Sequence, residues 1–247
     1  MAKNDPDILI HPQKGRKDQY LPEKGLLFVN PAEARIAEQE FSRYDISTRF
    51  LHNSSLLVDN QERLCVAGPA LGAPAAGLVM EKLIVLGVKK ICLFSCCGAI
   101  DPAYSIGDTL LAYSGVSGEG VSHYYGDNKI VHTCRPATDE LRSFLEKHGI
   151  DFKEGVIWST DAPYRESRSE LARLHTKYGV VGVDMEFTAL CSIAAFRNIS
   201  ISALFIVSDE LWGPVWKPGF GQESYQNQCR LLISSLISAG LHKELKD

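Results

Sequence analysis

The sequence lacks the features that mark polymer-binding and membrane proteins. Its 26 lysines and arginines are outnumbered by 30 aspartates and glutamates, so the formal net charge is −4. Proteins that bind nucleic-acid polymers or anionic membranes present a broad basic field, so we expect neither partner. No apolar stretch approaches the ~20 residues that cross a bilayer, and the N-terminus has no apolar signal segment. These absences predict a cytoplasmic protein.

The cysteines also lack the patterns of disulfide frameworks and metal sites. There are seven, an odd number, and most of them lie inside apolar runs without the paired spacing of zinc ligands. We therefore expect reduced thiols, most of them in the core, no metal site and no bound cofactor.

The length and the order of apolar segments indicate a single α/β domain. With 247 residues and 45% hydrophobic content, the chain can build one large core, and it contains no repeats or low-complexity linkers. Residues 1–24 are mostly polar and are predicted to form an N-terminal arm. The remaining pattern alternates strands and helices, which predicts a mixed, largely parallel central sheet with helices on both faces, within one domain spanning 1–247. The predicted strands include 25–29, 64–67, 91–94, 107–113, 156–158 and 203–207.

Three carboxylates stand where a sheet of this kind binds ligands. Asp209 follows the apolar run 203–207, and parallel sheets place their sites just beyond the carboxyl ends of such strands. Asp184 and Glu186 flank Met185 after another apolar run. Acids at a helix start also simply complement its dipole, so this pair fits that role as well. Together the three residues suggest a site that holds a polyol and protonates a group beside it.

These residues resemble the nucleoside phosphorylase family, which includes hexameric purine nucleoside phosphorylases, uridine phosphorylases and the related hydrolases of methylthioadenosine. The resemblance extends from about His11 to the C-terminal helix. It rests on four segments: Val183-Asp184-Met185-Glu186, Ser208-Asp209, Ser95-Cys96-Cys97-Gly98-Ala99-Ile100 and Glu119-Gly120-Val121-Ser122-His123-Tyr124.

The resemblance implies a role for residues at the base end of the site. Asp209 matches the acid that protonates, or hydrogen-bonds, N7 of a purine as the glycosidic bond breaks. Such an acid neutralises the charge that develops on the leaving base. Tyr164 is the expected stacking aromatic, although aromatics near strand ends also serve simply as packing. The remaining residues expected beside the base are Ser208, Cys97, Gly98 and Trp212.

At the ribose end, the resemblance implies that Glu186 accepts hydrogen bonds from the sugar hydroxyls and that Met185 packs on the sugar face. Asp184 stands where the family usually has glutamate, so a supporting role is expected for it. His11 resembles a histidine that reaches the 5′-hydroxyl of a neighbouring subunit's nucleoside. We therefore expect a homo-oligomer built of dimer units, up to a hexamer.

The phosphate site departs from the family pattern. Asn30, Cys96 and Arg49 are the candidate phosphate-binding residues, with Arg49 contributed by an adjacent subunit. Glu33 stands where the family has an arginine, and Leu93 replaces a second arginine. Cys96 and Cys97 also fit buried, inert cysteines. The resemblance favours phosphorolysis of a purine-type nucleoside, with inorganic phosphate as co-substrate. Alternatives are a phosphate-independent hydrolase and a nucleoside-binding protein with impaired catalysis.

Overall fold

A computed structural model describes residues 7–241 of the chain. The helices within this range are α1 (Pro31–Phe41), α2 (Ala73–Val85), α3 (Arg135–Lys147), α4 (Arg168–Tyr178), α5 (Phe187–Arg197) and α6 (Glu223–Leu241). The strands are β1 (Lys24–Phe28), β2 (Ile46–Leu51), β3 (Ser54–Asp59), β4 (Cys65–Gly68), β5 (Lys90–Ala99), β6 (Thr109–Gly118), β7 (Ile130–His132), β8 (Lys153–Thr160), β9 (Val180–Asp184), β10 (Ser200–Glu210) and β11 (Lys217–Pro218).

The strands form one mixed sheet, part of which closes on itself. Parallel pairing joins β4, β1, β5 and β10 into one block, and β6, β8 and β9 into another. Antiparallel pairs connect the blocks, because β10 pairs with β6 and the end of β5 pairs with β9. Five strands, β5, β10, β6, β8 and β9, therefore form a closed ring, from which β1, β4, β3 and β2 extend outward.

Helices cover both faces of this sheet, which confirms the predicted α/β architecture. On one face, α2 and α5 contribute residues such as Met80 and Leu190 to a core cluster with β5 and β10. On the other face, α1 and α6 contribute residues such as Phe41 and Leu232 to a second cluster. Because β10 is buried along nearly its whole length, its sequence is a continuous apolar run rather than an alternating one.

The local structure differs from the sequence-based expectation in three places. Residues 95–99 continue β5 instead of forming a loop after it, because their backbone pairs with β9 and β10. The hairpin of β2 and β3 was not predicted from the sequence. The sequence predicts a helix starting at Met185, whereas helix α5 begins at Phe187, because Glu186 has a non-helical backbone conformation with φ −134° and ψ −30°.

The described part of the N-terminal arm lies against α2. Leu21 N–H donates to the Leu86 carbonyl at 2.8 Å, and Lys82 Nζ donates to the Gln13 carbonyl at 2.7 Å and to Asp18 Oδ2 at 2.6 Å. These contacts fix the arm to the second half of the helix. The assignment of the arm as a separate segment within a single domain stays a prediction.

Candidate active site

Gly98 lies between the two segments that the sequence singled out. It pairs with Val183 of β9 on one side and with Asp209 of β10 on the other. Adjacent strands lie about 5 Å apart, so Asp209 and the residues that follow Val183 meet at the same end of the ring. A Cβ atom on Gly98 would lie 2.9 Å from Asp209 Oδ2 and 3.3 Å from Val183 Cγ1. Leu211 Cδ1 would be closer still, at 2.8 Å, so only the absence of a side chain at Gly98 lets these groups approach the β5 backbone.

Asp209 is held by neutral donors at both carboxylate oxygens. A register shift between Val207 and Asp209 places Ser208 and Asp209 at an irregular point of β10. Ser208 Oγ lies 2.7 Å from Oδ1, and Trp216 Nε1 donates to Oδ2 at 2.8 Å. Asp209 itself is 9% exposed. The carboxyl group is therefore oriented in advance, with Oδ2 turned towards Gly98.

Asp184 supports the turn that carries Met185 and Glu186. Its Oδ1 accepts a hydrogen bond from Ser159 Oγ at 2.5 Å, and its Oδ2 accepts from the N–H groups of Glu186 at 3.1 Å and Phe187 at 2.7 Å. The side chain is buried, and both of its oxygens are engaged within the chain. This geometry fits the supporting role expected for Asp184.

Glu186 is buried beside the N-terminus of α2. Its Oε1 accepts a hydrogen bond from Gly72 N–H at 2.5 Å, and the side chain is 2% exposed. Burial and, secondarily, the charge of Asp184 raise the pKa of Glu186. Met185, between the two acids, is half-buried. The raised pKa favours the protonated form of Glu186. In that form the carboxyl group offers sugar hydroxyls both a hydrogen-bond donor and an acceptor.

The residues expected at the phosphate site form a closed internal network. Asn30 Nδ2 donates to Cys96 Sγ at 2.9 Å, and Ser95 Oγ donates to Asn30 Oδ1 at 3.2 Å. Asn30 occupies the N-cap position of α1, but its side chain forms no capping bond because it is directed to these partners. Burial, and then the charge of Glu33, raise the pKa of the Cys96 thiol. The thiol is therefore protonated at neutral pH.

Glu33 brings a negative charge to this network. It is 3% exposed, and its Oε1 accepts a hydrogen bond from Tyr225 Oη of α6 at 2.6 Å. Arg49 does not offset this charge within one chain. It lies on β2, four strand positions from β5, and its Nη2 donates to Gln19.

The other residues expected beside the base differ in exposure. Cys97 is buried, and burial raises the pKa of its thiol well above the usual range. Ser208 is also buried, whereas Trp212 is 45% exposed and Tyr164 is 99% exposed. Within the described residues of a single chain, Tyr164 packs against nothing, and its stacking role stays a prediction.

The expected contact of His11 with a neighbouring subunit's nucleoside also stays a prediction. The residue is half-buried. Gln13, two residues later, contacts Lys82, which lies nine residues along α2 from Ala73 and so roughly 14 Å along the helix axis. The path of the arm leaves open a contact of His11 with the site of a neighbouring subunit.

The structure adds two residues beside Asp209 that are not among the predicted site residues. Trp216 is hydrogen-bonded to Asp209, and Glu166 lies near it. Burial and, secondarily, the charge of Asp209 raise the pKa of Glu166 to about 7. Glu119, part of a motif noted in the sequence, accepts hydrogen bonds from Val121 N–H at 2.6 Å and from Thr188 Oγ1 at 2.9 Å. It therefore fastens the 119–124 loop to α5. No local pattern marks Trp216 or Glu166, because their partners are distant in sequence or set by the loop conformation.

A cavity of about 770 Å³ lies away from this site. It is lined by residues at the N-terminal ends of β1, β5 and β10, including Lys24, Lys90 and Ser202. Within residues 7–241, no helix is long and apolar enough to cross a membrane. The same range holds no group of three or more histidine, cysteine or acidic side chains arranged to bind a metal ion.

Comparisons with known proteins agree with this fold. A purine nucleoside phosphorylase of the DeoD type from Clostridium novyi is 26% identical over 153 residues, covering 61% of this chain and 65% of the relative. The chain thus spans just under two thirds of that relative's length. The purine nucleoside phosphorylase of Toxoplasma gondii superposes with a TM-score of 0.74 at 17% identity, covering 94% of this chain and 97% of that one. A futalosine hydrolase mutant of Helicobacter pylori gives a TM-score of 0.72 at 17% identity, with coverages of 88% and 98%.

The two structural similarities concern proteins with different acceptors, one a phosphorylase and one a hydrolase, and at 17% identity they establish the fold alone. The family assignment comes from the sequence. The sequence model of the Phosphorylase superfamily matches residues 28–238, which include every described strand after β1 and most of α6, so the chain belongs to that superfamily.

Proposed function

We propose that this chain cleaves the N-glycosidic bond of a purine-type nucleoside and that water, rather than phosphate, accepts the sugar. The observation that carries the choice of acceptor is the buried Glu33 in the expected phosphate pocket. The relatives that match in sequence are purine nucleoside phosphorylases, which supports a purine-type nucleoside as the substrate.

At the base end, Asp209 supplies the proton. Its Oδ2 lies beside Gly98, and the proposed position of the purine is next to this oxygen. As the C1′–N9 bond breaks, its electron pair enters the purine, and N7 takes a proton from Asp209. A water molecule then adds to C1′ and loses a proton, and the carboxylate of Asp209 is reprotonated. The products are the free base and the free sugar.

At the ribose end, Glu186 binds the sugar hydroxyls. Its Oε1 accepts a hydrogen bond from Gly72 N–H, which fixes the orientation of the carboxyl group. The second oxygen, Oε2, is thereby oriented for the sugar. Met185 is half-buried beside Glu186, which supports a packing role on the sugar face. Asp184 stabilises the turn that carries both residues by accepting hydrogen bonds from the N–H groups of Glu186 and Phe187.

The choice of water over phosphate follows from charge. A phosphate dianion needs cationic donors, preferably arginines that bind two oxygens at once. Here the pocket offers an amide, a protonated thiol and the carboxylate of Glu33, which is bound to Tyr225. Each missing charge-assisted hydrogen bond costs roughly 1.5–3 kcal/mol, and about 1.4 kcal/mol corresponds to a tenfold loss of affinity. Two missing arginines therefore weaken phosphate binding by a factor of roughly 100 or more.

The experiment is an assay of adenosine and inosine with phosphate removed and with phosphate added. We expect free base and free ribose at the same rate in both conditions. Base release that requires phosphate, with ribose 1-phosphate as product, would identify a phosphorylase, the activity that the resemblance favours. Nucleoside binding without base release would identify a binding protein and reject the enzymatic assignment. We also predict that the protein in this preparation is a homo-oligomer, in which His11 and Arg49 complete the site of a neighbouring subunit.

A further inference from the structure

We propose that Trp216 is a positioning residue for Asp209, whose indole N–H holds the carboxyl oxygen that faces the base and makes Asp209 a stronger proton donor. The catalytic part of this inference rests on the proposed function, whereas the coupling between the two side chains does not.

The hydrogen bond involves the oxygen that matters for the reaction. Trp216 Nε1 lies 2.8 Å from Asp209 Oδ2, whereas Ser208 Oγ lies 2.7 Å from Oδ1. Oδ2 is the oxygen beside Gly98, 2.9 Å from the place where a Cβ atom would stand. A carboxylate oxygen accepts two hydrogen bonds, so the indole leaves one position on Oδ2 for the base.

The loop that carries Trp216 is fastened at several points. Asp209 pairs with Pro218 and Glu210 with Lys217, so β10 and β11 form a hairpin whose connecting loop returns to Asp209. Arg168 Nη2 donates to the Pro214 carbonyl in that loop. The hairpin pairing and the Arg168 contact therefore hold the loop that directs the indole at Asp209.

The alternatives within the loop do not explain this contact. Lys217 Nζ lies 3.0 Å from Glu210 Oε2, so the ammonium group is engaged with another carboxylate. The Trp216 side chain is 59% exposed, although tryptophan that packs for hydrophobic reasons buries most of its ring. Its single polar atom is directed at the acid while its ring remains largely open. The position is thus selected by the hydrogen bond.

The contact favours the transition state over the ground state. When the proton moves from Asp209 to N7, the carboxyl group becomes a carboxylate, and hydrogen bonds to ionised acceptors are roughly twice as strong as those to neutral ones. The bond from Trp216 therefore strengthens as the glycosidic bond breaks, which lowers the barrier. Because the indole N–H does not titrate in the physiological range, this support is present at every working pH.

Trp216→Phe tests the catalytic effect, because phenylalanine keeps an aromatic ring and removes the N–H. We expect kcat to fall roughly tenfold with KM nearly unchanged. Val215→Ala is the matched control: it lies next to Trp216 in the same loop, and its side chain is 72% exposed. It should leave both quantities unchanged.

A double-mutant cycle identifies the route of the effect. If Trp216 acts through Asp209, Trp216→Phe should cause no further loss in an Asp209→Asn background. A full additional tenfold loss in that background, or a wild-type kcat in Trp216→Phe alone, would overturn the inference.

A second readout needs no substrate. The chain has three tryptophans, so its ¹⁵N–¹H spectrum contains three indole N–H signals, and Trp216→Phe identifies the one that belongs to Trp216. The Trp216 signal should move in Asp209→Ala, because the indole N–H loses its acceptor. A Trp216 signal that does not move in Asp209→Ala would reject the coupling. If the wild-type chain releases no base with any acceptor, the proposed function fails, while this spectrum still decides whether the two side chains are coupled.

Discussion

A methyl group at position 98 should disturb the site more than the fold. In Gly98→Ala, the new Cβ atom would lie 2.9 Å from Asp209 Oδ2 and 2.8 Å from Leu211 Cδ1. The leucine methyl is the end of a flexible side chain and can move. Oδ2 is held by Trp216 and belongs to a carboxyl group whose other oxygen is held by Ser208. Relief of the clash therefore displaces Asp209 by roughly half an ångström or breaks the indole contact.

The size of both effects follows from this geometry. Overpacking by one methyl group typically costs about 1–3 kcal/mol. For a domain of this length, that loss lowers Tm by roughly 2–12 °C. A misplacement of about 1 Å costs on the order of 100-fold in rate, so we expect kcat/KM for nucleoside cleavage to fall roughly 10- to 100-fold.

The measurement pairs nucleoside cleavage with thermal unfolding of the same preparation. Gly221→Ala is the control, because no atom lies within 4 Å of its hypothetical Cβ and its φ lies outside the left-handed region. This control should retain both activity and Tm. A folded Gly98→Ala protein with wild-type kcat/KM would refute the placement of the base next to Asp209 Oδ2.

Three further predictions concern the acids of the site. Asp209→Asn should lower turnover by about 10²- to 10⁴-fold with little change in nucleoside affinity, since the proton is needed as the bond breaks; an unchanged kcat would remove Asp209 from catalysis. Glu186→Gln should reduce the preference for ribonucleosides over 2′-deoxynucleosides, and an equal preference before and after the change would place Glu186 outside the ribose site. For Glu166, the pKa raised from 4.5 to about 7 means that the folded state binds more protons, so its contribution to stability declines as pH rises from about 4.5 to 7. Glu166→Gln should therefore match the wild type in urea midpoint at pH 4 and exceed it at pH 8, and a difference that is independent of pH would contradict the raised pKa.

The sequence alone predicted the elements that local patterns specify. Buried strands appear as apolar runs, as for residues 203–207 within β10, and helix starts appear as proline in the first turn, as at Pro31 of α1. The rule that strand ends carry ligands then pointed to Asp209, and the family resemblance connected it with Glu186. These features depend on residues close together in the chain, so a pattern can reveal them.

The closed ring of strands depended on pairings that no local pattern encodes. The strand predicted from the sequence ends at residue 94, before residues 95–99. They become strand because β9 and β10 both offer hydrogen bonds to them. Likewise, Ser95-Cys96-Cys97-Gly98 indicated a motif, but only the sheet shows that Cys97 faces the core while Gly98 separates Val183 from Asp209.

The contacts that tune the chemistry were decided by tertiary structure alone. Tyr225 and Glu33 are 192 residues apart in sequence, yet Tyr225 donates a hydrogen bond to Glu33. This bond holds a buried acid at the position where the family has an arginine. Trp216 is close to Asp209 in sequence, but only the hairpin loop directs its indole N–H to Oδ2. The sequence determined the α/β class, the superfamily and the acids of the site, because these follow from residue type and order. The direction of each side chain, and hence the charge and the donors that each acid meets, follows from packing between distant segments.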